Sequence, residues 1–422
     1  MLIFAKEGAS TFEQLQTLGK AWKEIGSRPV ERLALSTLGF HTAATQTLLN
    51  SMLAVVLAAT APLPSYKSKT TPPALKAITL LQGGPAKLYA ETIATQAGNH
   101  LARWLTTLPP NELNCGSYRQ ALQTLAKRQG WQAEFLNLAT LKKLKAGAFL
   151  AVARANAHKD AGILHLSYRS KHNGKKAKNK RKLCLIGKGI CFDTGGINLK
   201  SHKSMYDMHT DMQGSAVAVG ILLALTKLKA PFDINCWLAL TENEIGPNAY
   251  RPQEVITAAN GTTIQVVHSD AEGRMALADT LTLAAKDKPQ LMIDFATLTG
   301  ACVMALTERM SGAFSNRSEL RDAIENAGRA SGERVWSFPM DADFDSDLDS
   351  PIADVMQCTM DSKGDHILAA RFLNRFVPDT VPWVHINMSS ASRSGGLAHI
   401  PTEITGFGVR WAVEFVSRHG FN

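Results

Sequence analysis

The sequence predicts an α/β protein in two unequal parts: a small α/β N-terminal domain with a connecting helix (residues 1–105), then a larger α/β/α domain (106–422) around a central mixed, largely parallel sheet. Three observations carry this reading. Beyond residue 106, strand-like apolar runs alternate with helical periodicity, as in a layered α/β fold. The 422 residues are 45% hydrophobic and 19% charged, ordinary values for a chain that buries a real core. Between the two parts, Thr106–Asn114 (TTLPPNELN) places a Pro-Pro-Asn run that stops a helix and opens a turn.

In the first part the most apolar stretch, Met52–Ala59, is far below the roughly 18–20 residues needed to span a bilayer. It is expected as a buried helix. Polar turns such as Pro64–Pro73 punctuate this region, and Leu88–Trp104 has the apolar spacing of a connecting helix. After the break, strands are expected at Phe149–Ala153, Ile163–Tyr168, Leu183–Ile186, Ile234–Leu240, Ile264–Val267, Leu291–Phe295 and Trp383–Met388. Helices are expected at Gly214–Leu228, Arg274–Lys286, Glu319–Arg329 and Ile367–Phe376. Ligands of such sheets gather beyond the C-terminal ends of the strands.

The net charge of +10 suggests nucleic acid until it is located. Lys171–Lys182 (KHNGKKAKNKRK) holds seven Lys/Arg and no acid, and without it 39 basic residues face 36 acidic ones. The excess belongs to one loop, expected as a solvated hairpin, and nucleic-acid binding through it is not favoured. Six cysteines (Cys115, Cys184, Cys191, Cys236, Cys302, Cys358) form no C-x-x-C pair, which fits reduced thiols in a cytosolic protein. The apolar run in MLIFAKEGAS is too short for a signal peptide. A cytoplasmic, non-membrane protein is expected.

Three segments carry chemistry. Leu185–Lys200 (LIGKGICFDTGGINLK) runs an apolar strand into a glycine-rich turn with Lys188, Asp193 and Lys200. It matches neither phosphate-loop pattern, and on spacing alone Lys188 and Lys200 read more readily as surface lysines. Tyr206–Gly214 (YDMHTDMQG) offers Asp207 and Asp211, either of which would also serve as a helix-capping acid; His209 is not expected to be a ligand. Val266–Leu277 (VVHSDAEGRMAL) offers Asp270, Glu272 and Arg274, which share one side if the backbone is extended. A structural salt-bridge corner would look similar. Together the segments hold four carboxylates, two lysines and an arginine beside the doubtful Asp207, a set suited to a pair of divalent cations. There is no H-E-x-x-H and no G-x-S-x-G.

These runs, above all SDAEGR beside the Lys-Asp-Lys loop, resemble the leucyl aminopeptidase (cytosol aminopeptidase) family, whose signature reads N-T-D-A-E-G-R-L. The similarity extends through Thr241–Val255, Asp294–Cys302 and Ile367–Phe376, and covers roughly residues 106–422. In its short N-terminal part the chain is similar to compact, peptidase B-like bacterial members. The resemblance implies a homohexameric enzyme that removes N-terminal amino acids, of leucine type, from peptides with two Mn²⁺ or Zn²⁺ ions. It implies Lys188, Asp193, Asp211, Asp270 and Glu272 as metal ligands, Asp193 and Glu272 being shared, and Lys200 and Arg274 as catalytic residues. Thr297, Leu298 and Gly300 match positions contacting substrate or a bicarbonate near Arg274, and Met208 lines the pocket for the first side chain. Departures from the family pattern are His268-Ser269 for Asn-Thr, Gln213 for Gly and Asn387 for Asp. None is an implied ligand, so side-chain preference is the property expected to change.

Exposed charges are screened beyond about 8 Å at physiological salt, and the basic loop is separated from the metal end by a strand. Deleting Gly174–Lys180 is therefore expected to leave turnover of a neutral dipeptide nearly unchanged. Loss on the order of a hundredfold in kcat/KM, with metal content and oligomer mass intact, would give the loop a role at the site.

Overall fold

The computed structural model describes residues 8–26, 30–69, 75–171, 181–419 and 421. Positions 172–180, most of the basic loop, lie outside the described residues. The N-terminal part pairs two short parallel strands, β1 (Arg32–Leu35) and β2 (Ala77–Leu80), beside helices Thr11–Ile25 and Thr42–Thr60. Ser10 and Glu13 cap the first helix reciprocally, each side chain bonding the other's backbone N–H. The buried helix expected around Met52–Ala59 is longer than expected, at 19 residues. By length and composition alone it is long and apolar enough to cross a bilayer, a test that a buried core helix also passes. In the fold, Leu49, Leu53, Ala54 and Val55 of this helix pack against Leu15, Leu18 and Tyr89, a local core that accounts for its apolar character.

Helix Ala90–Thr107 follows, ending where Pro109 and Pro110 forbid continuation. It is built into the larger part of the chain. A Cβ on Gly98 would lie 2.2 Å from Gly220 O, and one on Gly220 would lie 2.5 Å from Gly98 O. Only glycine at both positions lets this helix cross helix Gln213–Lys227 so closely. Asn99 Nδ2 donates to Thr405 O and Gly406 O (2.9 and 3.1 Å), and Arg103 Nη1 to Ala58 O (2.9 Å), so the helix bonds to both parts of the chain.

The remaining strands, in chain order, are β3 (Gln132–Asn137), β4 (Gly162–Tyr168), β5 (Lys182–Asp193), β6 (Asp233–Asn243), β7 (Val255–Thr257), β8 (Thr263–Gln265), β9 (Leu291–Ala296), β10 (Ser311–Ser315), β11 (Val335–Ser337), β12 (Val355–Met356) and β13 (Trp383–Asn387). Eight form one mixed sheet in the order β11-β10-β13-β9-β5-β6-β4-β3, while β12, β8 and β7 make a small separate sheet. The central four, β13, β9, β5 and β6, are mutually parallel, and the antiparallel pairs lie toward the edges. Their near-continuous apolar sequences reflect burial on both faces. Along β5, Leu183 and Leu185 enter one core while Cys184 and Ile186 enter the other, as a period of two requires. All six cysteines are buried and unpaired.

Two expectations are corrected. Phe149–Ala153 is a helix (Gly147–Ala153), not a strand. Five apolar residues fit either element, and here Asp279 decides: its carboxylate accepts the Phe149 N–H at 2.8 Å, satisfying a donor of the helix's first turn. The Ile264–Val267 strand is real as β8 but belongs to the small sheet. Strands β3, β10 and β11, of mixed polarity, were not among the expected ones. Replacing Gly98 by alanine is expected to lower stability by about 1–3 kcal/mol through overpacking, read as a fall in Tm; an unchanged Tm would show that the helix crossing is looser than this.

Candidate metal centre

The chemistry-bearing segments meet at the C-terminal ends of β5, β6 and β9. β5 carries Lys188 inside its buried run and delivers Asp193 as its last residue. The chain then turns through Gly195 and Gly196, both at positive φ (86° and 66°), a conformation a side chain would strain. This turn brings Lys200 back beside Asp193, with the Lys200 N–H donating to Thr194 O at 2.9 Å. Asp211 lies just before helix Gln213–Lys227, and Thr297 follows β9. Asp270 lies in a turn and Glu272 opens helix Glu272–Ala285. The extended backbone expected across Asp270–Arg274 is therefore not what brings these groups together; a turn running into a helix does.

The side chains form two linked ion-pair sets. Lys188 Nζ lies 2.9 Å from Asp211 Oδ2 and 2.9 Å from Glu272 Oε1, and donates to Thr297 O at 2.8 Å. Lys200 Nζ lies 2.9 Å from Asp193 Oδ2 and 2.5 Å from Asp270 Oδ1. Thr297 Oγ1 donates to Asp211 Oδ1 at 2.6 Å. Arg274 is directed elsewhere: Nη2 donates to both oxygens of Asp365 (2.8 and 2.9 Å), and Nη1 to Gln357 O (3.1 Å). All eleven residues singled out in the sequence line one cavity of about 710 Å³: the five candidate ligands, Lys200, Arg274, Met208, Thr297, Leu298 and Gly300. Asp207 and His209 are not part of its lining.

Burial and the neighbouring acids push Asp211 and Glu272 up to about 7, against the pull of Lys188, and Asp270 up to about 6, against Lys200. Burial alone would lower both lysines, yet the carboxylates around them outweigh it and raise them. Fully ionised, four carboxylates and two ammonium groups still leave two negative charges. Asp193, Asp270 and Glu272 offer oxygens that all lie within 4.8 Å of one another, and Glu272 Oε2 is buried with no hydrogen-bond partner. An unpartnered buried carboxylate oxygen is costly, and a compact all-oxygen cluster of excess negative charge fits divalent cations.

Comparison with known proteins decides the family. Residues 100–413 match the catalytic domain of the cytosol aminopeptidase family. The chain belongs to the cytosol aminopeptidase family. A probable cytosol aminopeptidase of Rhodopseudomonas palustris (strain BisA53) is 38% identical over 335 residues, 79% of this chain and 66% of that protein. One from Methylorubrum populi is 39% identical over 357 residues, 83% of this chain and 69% of that protein. The chain thus spans about two thirds of the length of these curated relatives. Among solved structures, a mutant of tomato leucine aminopeptidase has a TM-score of 0.88 at 28% identity, covering 98% of this chain and 80% of that one. The bottromycin maturation enzyme BotP in complex with Mn has a TM-score of 0.85 at 29% identity, covering 97% and 88%. Members of the cytosol aminopeptidase family are metal-dependent aminopeptidases.

The structure adds residues that brace the site and that sequence reasoning did not single out. Asn243, at the end of β6, donates to Asp193 Oδ1 (2.8 Å) and Ser269 O (3.0 Å), and Tyr250 Oη donates to Ser269 O (2.6 Å). Both lie in Thr241–Val255, noted only for resemblance. Ser269 Oγ donates to Gly195 O (2.6 Å) and accepts from Asn198 N (2.7 Å), tying the glycine turn to the acidic segment. Gln357 accepts from the N–H groups of Val267 and His268 and donates to Ala271 O. Nothing around Gln357 in sequence signals this, nor the role of Asp365. Asp270→Ala and Glu272→Ala are expected to lower the metal-to-protein ratio of the purified protein. If Lys200 is an oxyanion-stabilising donor rather than a ligand, Lys200→Ala should retain metal while losing on the order of 10²–10³ in kcat. Equal metal loss in Lys200→Ala and Asp270→Ala would overturn that division of roles.

Proposed function

We propose that this protein is a metal-dependent aminopeptidase releasing N-terminal amino acids, with a leucine-type preference, from peptides. Two divalent cations, Mn²⁺ or Zn²⁺, would be held by Lys188, Asp193, Asp211, Asp270 and Glu272, with Asp193 and Glu272 shared. The observation carrying this reading is the gathering of four carboxylates and two lysines in one cavity, in a chain of this family. Such cations supply Lewis acidity and lower the pKa of a water toward neutrality.

The chain's own residues do the remaining work. Lys188 joins the ligands as a neutral amine, because a positive charge beside two dications is disfavoured. Lys200, between Asp193 and Asp270 on the cavity wall, keeps its charge and stabilises the negative charge developing on the peptide oxygen. Thr297 holds Asp211 through its hydroxyl and Lys188 through its carbonyl, fixing two ligands at once. Met208, Leu298 and Gly300, which also line the cavity, would contact the substrate, Met208 beside its first side chain. The bicarbonate expected near Arg274 meets a guanidinium already engaged by Asp365, and no step runs through it.

In this reading residues 106–422 form the catalytic unit, braced by helix Ala90–Thr107, and the enzyme assembles as a homohexamer in the cytoplasm. Six buried free cysteines suit a reducing compartment. In this reading the basic segment 171–182 has no part in turnover. The purified protein is expected to release the first residue of dipeptides or aminoacyl amides, to lose this on chelation and to regain it with Mn²⁺ or Zn²⁺. Full activity in a verified metal-free sample would refute the metal-dependent mechanism.

A further inference from the structure

Arg274 lines the cavity, is 2% exposed, and makes its side-chain hydrogen bonds within the chain. A guanidinium presents two paired-donor faces to a carboxylate-like anion, Nε with Nη2 and Nη1 with Nη2. Both faces include Nη2, and here Nη2 is taken by the two oxygens of Asp365 at 2.8 and 2.9 Å. Nη1 donates to Gln357 O at 3.1 Å. Nε is buried and makes no hydrogen bond; with Nη2 turned to Asp365 and Nη1 to Gln357 O, neither face offers two unengaged nitrogens. The Asp365 carboxylate is delivered by the first residue of helix Asp365–Asn374, where the helix dipole favours a negative charge. The arginine side chain is almost wholly buried and that of Asp365 is 16% exposed. Removing one partner of such a pair leaves the other charge uncompensated.

We propose that Asp365 is the built-in anion of this site: a positioning residue whose carboxylate holds Arg274 and replaces soluble bicarbonate, so that turnover does not depend on dissolved bicarbonate. The proposal rests on the aminopeptidase reading for its activity arm only. The disagreement between a resemblance that implies an exogenous anion and an arginine that has no free fork is what carries it. If Arg274 and Asp365 formed only a structural bridge between two helices, freeing the arginine would create no response to bicarbonate.

Two measurements test this on the full-length, metal-loaded protein. The first is binding of ¹³C-bicarbonate followed by NMR line broadening, which needs no activity. The wild type should show no saturable binding, whereas Asp365→Ala, with Nη2 freed, should bind. The second is kcat for an aminoacyl amide in CO₂-stripped buffer, with and without added bicarbonate or formate. The wild type should not change. Asp365→Ala should lose on the order of ten- to a hundredfold, the usual cost of removing a residue that orients a site, and recover when either anion is added. Saturable bicarbonate binding by the wild type, or its activation by bicarbonate, would overturn the proposal. So would an Asp365→Ala protein that matches the wild type in stripped buffer and ignores the anions. If Asp365→Ala fails to fold, Asp365→Asn takes its place, and the wild-type arms decide by themselves. A protein lacking aminopeptidase activity would defeat the proposed function while the binding arm still judged the anion seat.

Discussion

Everything at this site follows from placing four carboxylates where they cannot all keep their charge unaided. Two like charges about 4 Å apart repel by about 4 kcal/mol at an effective dielectric near 20, and Asp193, Asp270 and Glu272 have oxygens within 4.8 Å of one another. Lys188 and Lys200 neutralise only half of the set. The remaining imbalance appears as Asp211 and Glu272 pushed up to about 7 by burial and by neighbouring acids. Divalent cations in such a pocket would remove the repulsion without adding bulk.

Holding the carboxylates in place against that repulsion is the task of the scaffold. Lys188 and Asp193 share one strand at the centre of a sheet buried on both faces, and both pair with β6, so neither can move without shifting that strand. The acidic turn is held from several directions: Asn243 and Tyr250 bond Ser269 O, Asn198 bonds the Ser269 N–H and hydroxyl, and Gln357 spans Val267 to Ala271. The two-glycine contact between helices Ala90–Thr107 and Gln213–Lys227 lies behind the Asp211 segment. No described residue of the N-terminal part lines the cavity.

The acidic cluster was legible in sequence because its residues fall in three short runs of rare composition, in which glycine and charge interrupt apolar strands. The central strands and the helices after them were legible for the same reason, since burial on both faces leaves continuous apolar runs. What sequence missed was set by partners distant along the chain. Gly147–Ala153 is helical because Asp279, more than a hundred residues on, satisfies its first turn. Strands β3 and β11 at the sheet edges, and β10 next to β11, take their conformation from neighbouring strands and have no alternation strong enough to stand out. Asp365 lies just outside the apolar pattern of its helix, and only the fold shows that it faces Arg274.

The departures from the family pattern illustrate which positions can vary. Ser269, in place of threonine, keeps the hydroxyl that bonds Gly195 O and accepts from Asn198 N. Gln213 places an amide on the cavity wall, where its Nε2 donates to Ser392 Oγ at 3.0 Å. Asn387 is almost fully buried, and its Nδ2 donates to Thr299 Oγ1 at 2.8 Å, the hydroxyl that caps helix Gly300–Leu306. An aspartate there would add another buried carboxylate to a cavity already in negative excess, and the amide keeps a hydrogen bond without that charge. The clustered carboxylates have no such freedom: exchanging Asp270 or Glu272 for a neutral group changes the charge balance of the whole cluster. In this chain the departures at Gln213, Ser269 and Asn387 make neutral hydrogen bonds and leave the ionic set unchanged.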